Sequence, residues 1–258
     1  MDQRFLHRVF NDPDLQTGGR FYGGWWQNIP REYRQHLAVN GKRMVELDYS
    51  NQHPSILYAQ EGATRPTDCY SGVIKPSQLT DEFRHGELRD TVKAAFNAML
   101  NSSKPLRQAP AGVKPSKFGL KWAELSYAII AFHKPIAHYF YTGVGLRLQR
   151  LDSDIAEKVL VHFAEKRIAV LPLHDSFLMH QGYETTLEPV MRAAFETVVG
   201  VSPKIDRKEA DKDDLNISGY EYDPFGPKTA DDLDELLAEL DVGYEHRLAA
   251  FRALHGDF

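Results

Sequence analysis

The stretch Met44-Val-Glu-Leu-Asp-Tyr-Ser-Asn-Gln-His-Pro-Ser-Ile-Leu-Tyr58 governs the reading of the whole chain. Val45 and Leu47 alternate with polar residues, the two-residue period of a half-buried strand, and the run stops at Asp48 just before the turn-capable pair Ser50-Asn51. A carboxylate at a strand end is held rigidly. Pro54 then opens a helix over Ser55 to Gln60, which Gly62 closes. The pattern returns in Ile168-Ala-Val-Leu-Pro-Leu-His-Asp-Ser-Phe-Leu-Met179, where two apolar runs flank His174-Asp175-Ser176 as strands flank a hairpin loop. An aspartate on a turn is ordinary by itself. Two strand-end aspartates in one chain are the arrangement that shares a pair of divalent cations for phosphoryl or nucleotidyl transfer.

Working outward, 258 residues allow one large domain, or one domain with a small appendage, and a sizeable core. The composition, 42% hydrophobic and 26% charged, is that of an ordinary globular protein. No apolar run approaches a membrane span and the N-terminus lacks a signal-peptide layout, so the expectation is a cytoplasmic protein without a membrane partner. The single cysteine, Cys69, excludes an internal disulfide framework and a cysteine-based zinc site. Net charge is −5, but seven acids and no Lys or Arg fall between Thr229 and Glu245. Taking those seven from the 36 acidic residues leaves 29 against 31 basic, so any nucleic-acid contact has to be argued from local sites.

Several local features carry weight. Residues 1 to 16 read as a short helix and a polar turn. Thr17-Gly-Gly-Arg-Phe-Tyr-Gly-Gly-Trp-Trp26 is too glycine-rich for a helix and suits close backbone approach to a ligand, or a loop packed by its tryptophans. A short helix over Glu32 to Leu37 follows, and Asn40-Gly41 signals a turn before the Asp48 strand. From Asp81 to Leu100 the chain is helical, with Leu88, Val92, Ala95, Phe96 and Met99 on one face and Arg89, Lys93 and Asn97 four apart on another. Such a row of cations is either a solvated surface or an anion site. Lys104, Arg107, Lys114 and Lys117 make a proline-broken basic loop suited to a phosphate backbone, or a solvated linker. Helices are expected over Trp122 to Tyr141 with a break at Pro135, over Leu148 to Lys166 and over Thr185 to Val199, then a charged loop, then a helical pair over Asp231 to Leu254.

Taken in order, these pieces resemble family A DNA polymerases, the bacterial DNA polymerase I type, in their palm and fingers. The residues that carry the resemblance are Thr17-Gly-Gly-Arg20 with one extra glycine, Gln27-Asn-Ile-Pro30, Asp48-Tyr-Ser50, Arg89-x3-Lys93 and His174-Asp175. The resemblance implies that Asp48 and Asp175 hold two Mg²⁺ ions, with Mn²⁺ as a substitute, and that Arg89 and Lys93 grip an incoming deoxynucleoside triphosphate. It further implies that Arg20 and Gln149 contact the primer-template end and that His174 lies by the primer terminal phosphate.

The departures are specific. His53 stands where the family places a glutamate against the ribose 2′-hydroxyl, and Asn97 stands where it places an aromatic. Both make the nucleotide site resemble family B. Ser176 follows Asp175 as in phage-type single-subunit RNA polymerases, where the DNA polymerases have glutamate. Only 16 residues precede Thr17, which leaves no room for an exonuclease domain or the usual thumb, so weak grip, low processivity and an accessory protein in place of the thumb are expected.

The expected fold is α+β: a polymerase palm of antiparallel sheet backed by helices, with a reduced helical fingers subdomain. The palm takes residues 1–61 and 121–200, the fingers 62–120, and a charged loop and helical extension 201–258. The leading function is template-directed extension of a primer 3′-end with dNTPs. The alternatives are an RNA-synthesising or primase-like enzyme, a non-catalytic nucleic-acid-binding protein that keeps the fold, and a metal-dependent nuclease.

Overall fold

A computed structural model of the chain describes residues 5–208 apart from 35, 40–41, 76–84 and 181, together with the isolated positions 249 and 253. The acidic helical extension expected over 231–254 lies outside the described residues except for those two positions, as does the Asn40-Gly41 turn.

The fold is α+β. Its centre is β4 (Lys42–Tyr49), in a five-stranded antiparallel sheet with β3 (Ala38–Val39), β6 (Ser176–His180), β5 (Leu171–Leu173) and β7 (Ile205–Lys208). β4 pairs with β6, placing Asp48 opposite Ser176 and Leu47 opposite Phe177, and also with β7, placing Asp48 opposite Asp206 and Glu46 opposite Lys208. β5 and β6 form the expected hairpin, closed by His174-Asp175 with Leu173 opposite Ser176. His174 takes φ +60°, the left-handed backbone that two-residue hairpin loops require.

Alternation along β4 sends its two sets of side chains to opposite faces. Leu47 and Tyr49 enter the main core, where Tyr49 meets Phe177 and Phe195 and its hydroxyl donates to the Met191 carbonyl at 2.6 Å. That face is covered by α6 (Glu184–Val199), α5 (Gly145–Glu165) and α2 (Gln52–Gln60). The opposite face holds a small apolar cluster of Trp26, Met44, Leu173 and Leu178 at one end and polar residues at the other.

α1 is a single turn, Arg31–Arg34, shorter than the helix expected over Glu32 to Leu37, and the longer helices follow their apolar periods. α3 (His85–Asn101) buries Leu88, Val92, Ala95, Phe96 and Met99, and α5 buries Leu148, Ile155, Val159 and Phe163, while Leu160 is only half-buried. α2 buries residues from Gln52 to Tyr58 on several sides, so it runs through the interior. It begins earlier than expected, with Pro54 as its third residue, where a missing N–H still costs no helical bond. α4 (Trp122–Phe132) stops before Pro135, and a 3-10 turn (Lys134–Tyr139) continues it.

Two expectations are corrected. Residues 7–10 are not helical: His7-Arg-Val-Phe10 is a strand, β1, paired with β2 (Gly18–Tyr22). Its alternating burial is the two-residue period, too short to outweigh a helical reading from sequence alone. Half of the Thr17 stretch is thus the strand Gly18–Tyr22, and Gly18 and Gly19 are needed in it, with φ of +77° and +83°. A Cβ on Gly19 would meet Ser153 Oγ of α5 at 2.9 Å. The second correction is β7, read from sequence as charged loop.

Phe177 is fully buried between Tyr49 and the helices. Phe177→Ala is expected to destabilise the fold by roughly 3–5 kcal/mol, read from the urea unfolding midpoint at constant slope.

Candidate functional site

One face of the β6–β4–β7 sheet carries a row of polar side chains at even spacing. Glu46, Asp48 and Ser50 alternate along β4 and its continuation, with Ser176 on one neighbouring strand and Asp206 and Lys208 on the other. Ser176 Oγ donates to Glu46 Oε1 at 2.8 Å, and Lys208 Nζ donates to the same oxygen at 2.5 Å. Lys208 Nζ also lies 3.4 Å from Asp48 Oδ2. Ser50 donates its hydroxyl to Asp206, which Lys204 meets at 3.1 Å. Asp175 comes alongside through the hairpin, its carbonyl accepting the Tyr49 N–H at 3.0 Å. Burial and then the neighbouring Asp175 push the Asp48 carboxyl up to about 6, against the pull of Lys208.

Asp48, Ser50, Asp206 and Lys208 of this row floor a cleft of about 670 Å³, and all nine residues singled out from the sequence line it. Arg89, Lys93 and Asn97 stand on α3, on a face away from the residues that helix buries. Arg89 is anchored: its Nε donates to Asp68 Oδ2 at 2.7 Å, and its guanidinium lies 5.3 Å over the Tyr70 ring. Partial burial alone would raise the Asp68 carboxyl, but hydrogen bonds from Arg89 and from the Tyr70 and Ser71 backbone hold it at about 2.

The remaining wall is built on α2, α5 and the N-terminal hairpin. Arg20 of β2 donates through Nε to Asp152 Oδ2 of α5 at 2.8 Å and reaches to 3.5 Å from His53 of α2. Burial and the Arg20 charge push His53 down to about 4, so it is neutral at pH 7. His174 is also lowered, by burial first and then by Arg20, and its ring packs edge-on to Tyr22 with centroids 5.8 Å apart. Gln149, near the start of α5, completes the set. Gln27 and Trp26 stay outside the cleft and clasp the sheet: Trp26 Nε1 donates to the Pro172 carbonyl at 3.0 Å and Gln27 Nε2 to the Phe21 carbonyl at 2.8 Å.

Sequence reasoning missed Asp68, Asp152, Asp206 and Lys208. Asp152 sits at a helix position that periodicity assigns to the interior, and an acid on a buried face is the one signal that was available. Asp206 and Lys208 had none, because Ile205-Asp-Arg-Lys208 lacks apolar alternation.

The donors fit a hard divalent cation. Asp48 Oδ1 is buried with no hydrogen-bond partner among the described residues, and the oxygens of Asp48 and Asp175 are the ligand type Mg²⁺ and Mn²⁺ prefer. Among the described residues no three His, Cys, Asp or Glu side chains group as a metal cage.

No protein-family model matches the chain, and no curated protein matches it. Among solved structures it is similar to the POL domain of Pol1 from M. smegmatis, solved in complex with a DNA primer-template and dNTP. The TM-score is 0.46 with 15% identity, covering 73% of this chain and 45% of that one. The chain thus spans less than half the length of that structure, and the chemistry of the cleft has to be read from its own residues. No helix among the described residues is long and apolar enough to cross a membrane.

Asp152 is 1% exposed, and burial, partly offset by Arg20, raises its carboxyl to about 6. Against an unfolded value near 4, the folded protein holds a proton through pH 4–6 that the unfolded chain has lost, so this group lowers stability as pH rises. The stability of the wild type relative to Asp152→Asn is expected to fall by roughly 2 kcal/mol between pH 4 and pH 7 in urea unfolding of both proteins. A difference that does not change with pH would show that Asp152 stays ionised throughout.

Proposed function

We propose that the protein is a template-directed nucleotidyltransferase that extends a primer 3′-end with deoxynucleoside triphosphates. The observation that supports this reading best is convergence: nine residues, nominated on motifs scattered between Arg20 and Asp175, line one cleft with carboxylates on its sheet floor and cations on the facing helix. A surface row of cations or a stray turn aspartate has no reason to meet the others. Chance placement would scatter them over the molecule.

In this reading Asp48 and Asp175 are the ligands of the divalent ions. The ions, when bound, lower the pKa of the primer 3′-hydroxyl and neutralise charge on the phosphate under attack. Lys93 and Arg89 bind the triphosphate, Arg89 already held at an angle by Asp68 and Tyr70. Asn97, one turn further on α3, lies toward the base, and His53, neutral and half-buried, lies where the sugar is sorted. Arg20, Gln149 and His174, which line the same cleft, take the primer-template end, with Asp152 fixing the Arg20 guanidinium.

RNA synthesis is a second reading with an observation of its own. Ser176 is buried and spends its hydroxyl on Glu46, so the position after Asp175 adds no carboxylate to the cleft.

The deciding experiment extends a labelled primer on a DNA template with Mg²⁺, with dNTPs and rNTPs in parallel. Extension with dNTPs is expected, reduced by roughly 10²–10³-fold or more in Asp48→Asn and in Asp175→Asn, the scale of losing one electrostatic stabiliser. Circular dichroism is expected to stay unchanged in both variants. Extension by rNTPs alone moves the protein to the RNA-synthesising reading, and full activity in either variant removes the assignment.

A further inference from the structure

We propose that Lys208 is a resident counter-cation of the cleft, which competes with a divalent ion for Asp48 and withdraws to Glu46 when the ion binds; this deepens, and rests on, the nucleotidyl-transfer reading. The geometry that points to it is a three-centre arrangement across β4 and β7. Lys208 stands opposite Glu46 in the strand register, its Nζ 2.5 Å from Glu46 Oε1 and 3.4 Å from Asp48 Oδ2. Glu46 and Asp48 occupy alternate positions on one face of β4, about 7 Å apart along the strand, within the swing of a four-carbon stem. The two carboxylates are thus two stations for one ammonium.

The stations differ. Glu46 is a fixed acceptor, 8% exposed, with Ser176 Oγ at 2.8 Å behind it and Arg34 Nη1 at 4.0 Å. Asp48 is looser: the ammonium touches only Oδ2, and Oδ1 is buried with no partner among the described residues. An ion-free carboxylate in such a place is a partly desolvated charge, and a cation nearby offsets that cost. A divalent ion supplies the same compensation more strongly, and both cannot hold the same lone pairs of Asp48. Moving wholly to Glu46 leaves Lys208 hydrogen-bonded, so the exchange strands no charge. Lys208 therefore sets how tightly the cleft takes up its ion and keeps the empty site electrostatically closed.

The test measures Mn²⁺ binding to the full chain, without nucleotide or nucleic acid, from the free-Mn²⁺ signal in electron paramagnetic resonance. Lys208→Met is expected to bind Mn²⁺ roughly three- to tenfold more tightly than wild type, the range expected for one half-exposed ion pair. Lys204→Met removes an equal charge from the same strand region without touching Asp48, and is expected to stay within about twofold of wild type. Should Lys208→Met unfold because Glu46 loses its partner, Lys208→Met combined with Glu46→Gln is compared with Glu46→Gln alone, and the same tightening is expected. Asp48→Asn is expected to lose the site. Equal affinities for wild type and Lys208→Met, with binding still lost in Asp48→Asn, overturn the assignment of Lys208 and leave the metal reading standing. Binding that Asp48→Asn does not alter overturns both.

Discussion

β4 is paired on both edges and packed on one face, and the rest of the molecule depends on that constraint. A central strand cannot slip: moving its register by one residue would turn Leu47 and Tyr49 toward the cleft and Asp48 into the core. The apolar set is fixed by Phe177 and the helices behind the sheet. The polar set is thereby fixed as well, and Glu46, Asp48 and Ser50 must face the other way. Position on one side of the strand is dictated by burial on the other.

Charges collected at such a place have to compensate one another, since a desolvated carboxylate without a partner costs several kcal/mol. The chain meets this with cross-strand partners. Ser176 and Lys208 satisfy Glu46, Ser50 and Lys204 satisfy Asp206, and Asp48 is the member left partly open. The same logic fixes the cations of the walls. Arg20 is tied to the buried Asp152, and Arg89 to Asp68 with Tyr70 beneath it. Pairs of this kind add little net stability, because desolvation offsets most of the attraction. What they give is direction: two long, flexible side chains are held pointing into a cleft before anything enters it.

Much of this was legible in the residues. The Asp48 strand, the hairpin bearing Asp175 and the apolar stripes of α3 and α5 rest on local periodicity, and the structure reproduces each. The failures have the same origin. β1 is a four-residue strand whose alternation is too brief to outvote a helical reading, and β7 has no alternation to detect. A short polar strand exists because a neighbour's edge offers hydrogen bonds, and that edge is remote in sequence.

The sequence by itself determined which residues are the candidates for the chemistry: two aspartates beside predicted strands, a helix with cations four apart, and a histidine and an arginine singled out by motif. Those are local facts, set by the two-residue period of strands and the 3.6-residue period of helices. Tertiary structure alone decided what stands beside them. It put Asp206 across from Asp48 and Lys208 across from Glu46, Asp152 under Arg20 and Asp68 against Arg89. Contacts between residues 21 positions apart, as Asp68 and Arg89 are, or more than a hundred apart, as the other pairs are, follow from how elements pair and pack, and no local pattern encodes them.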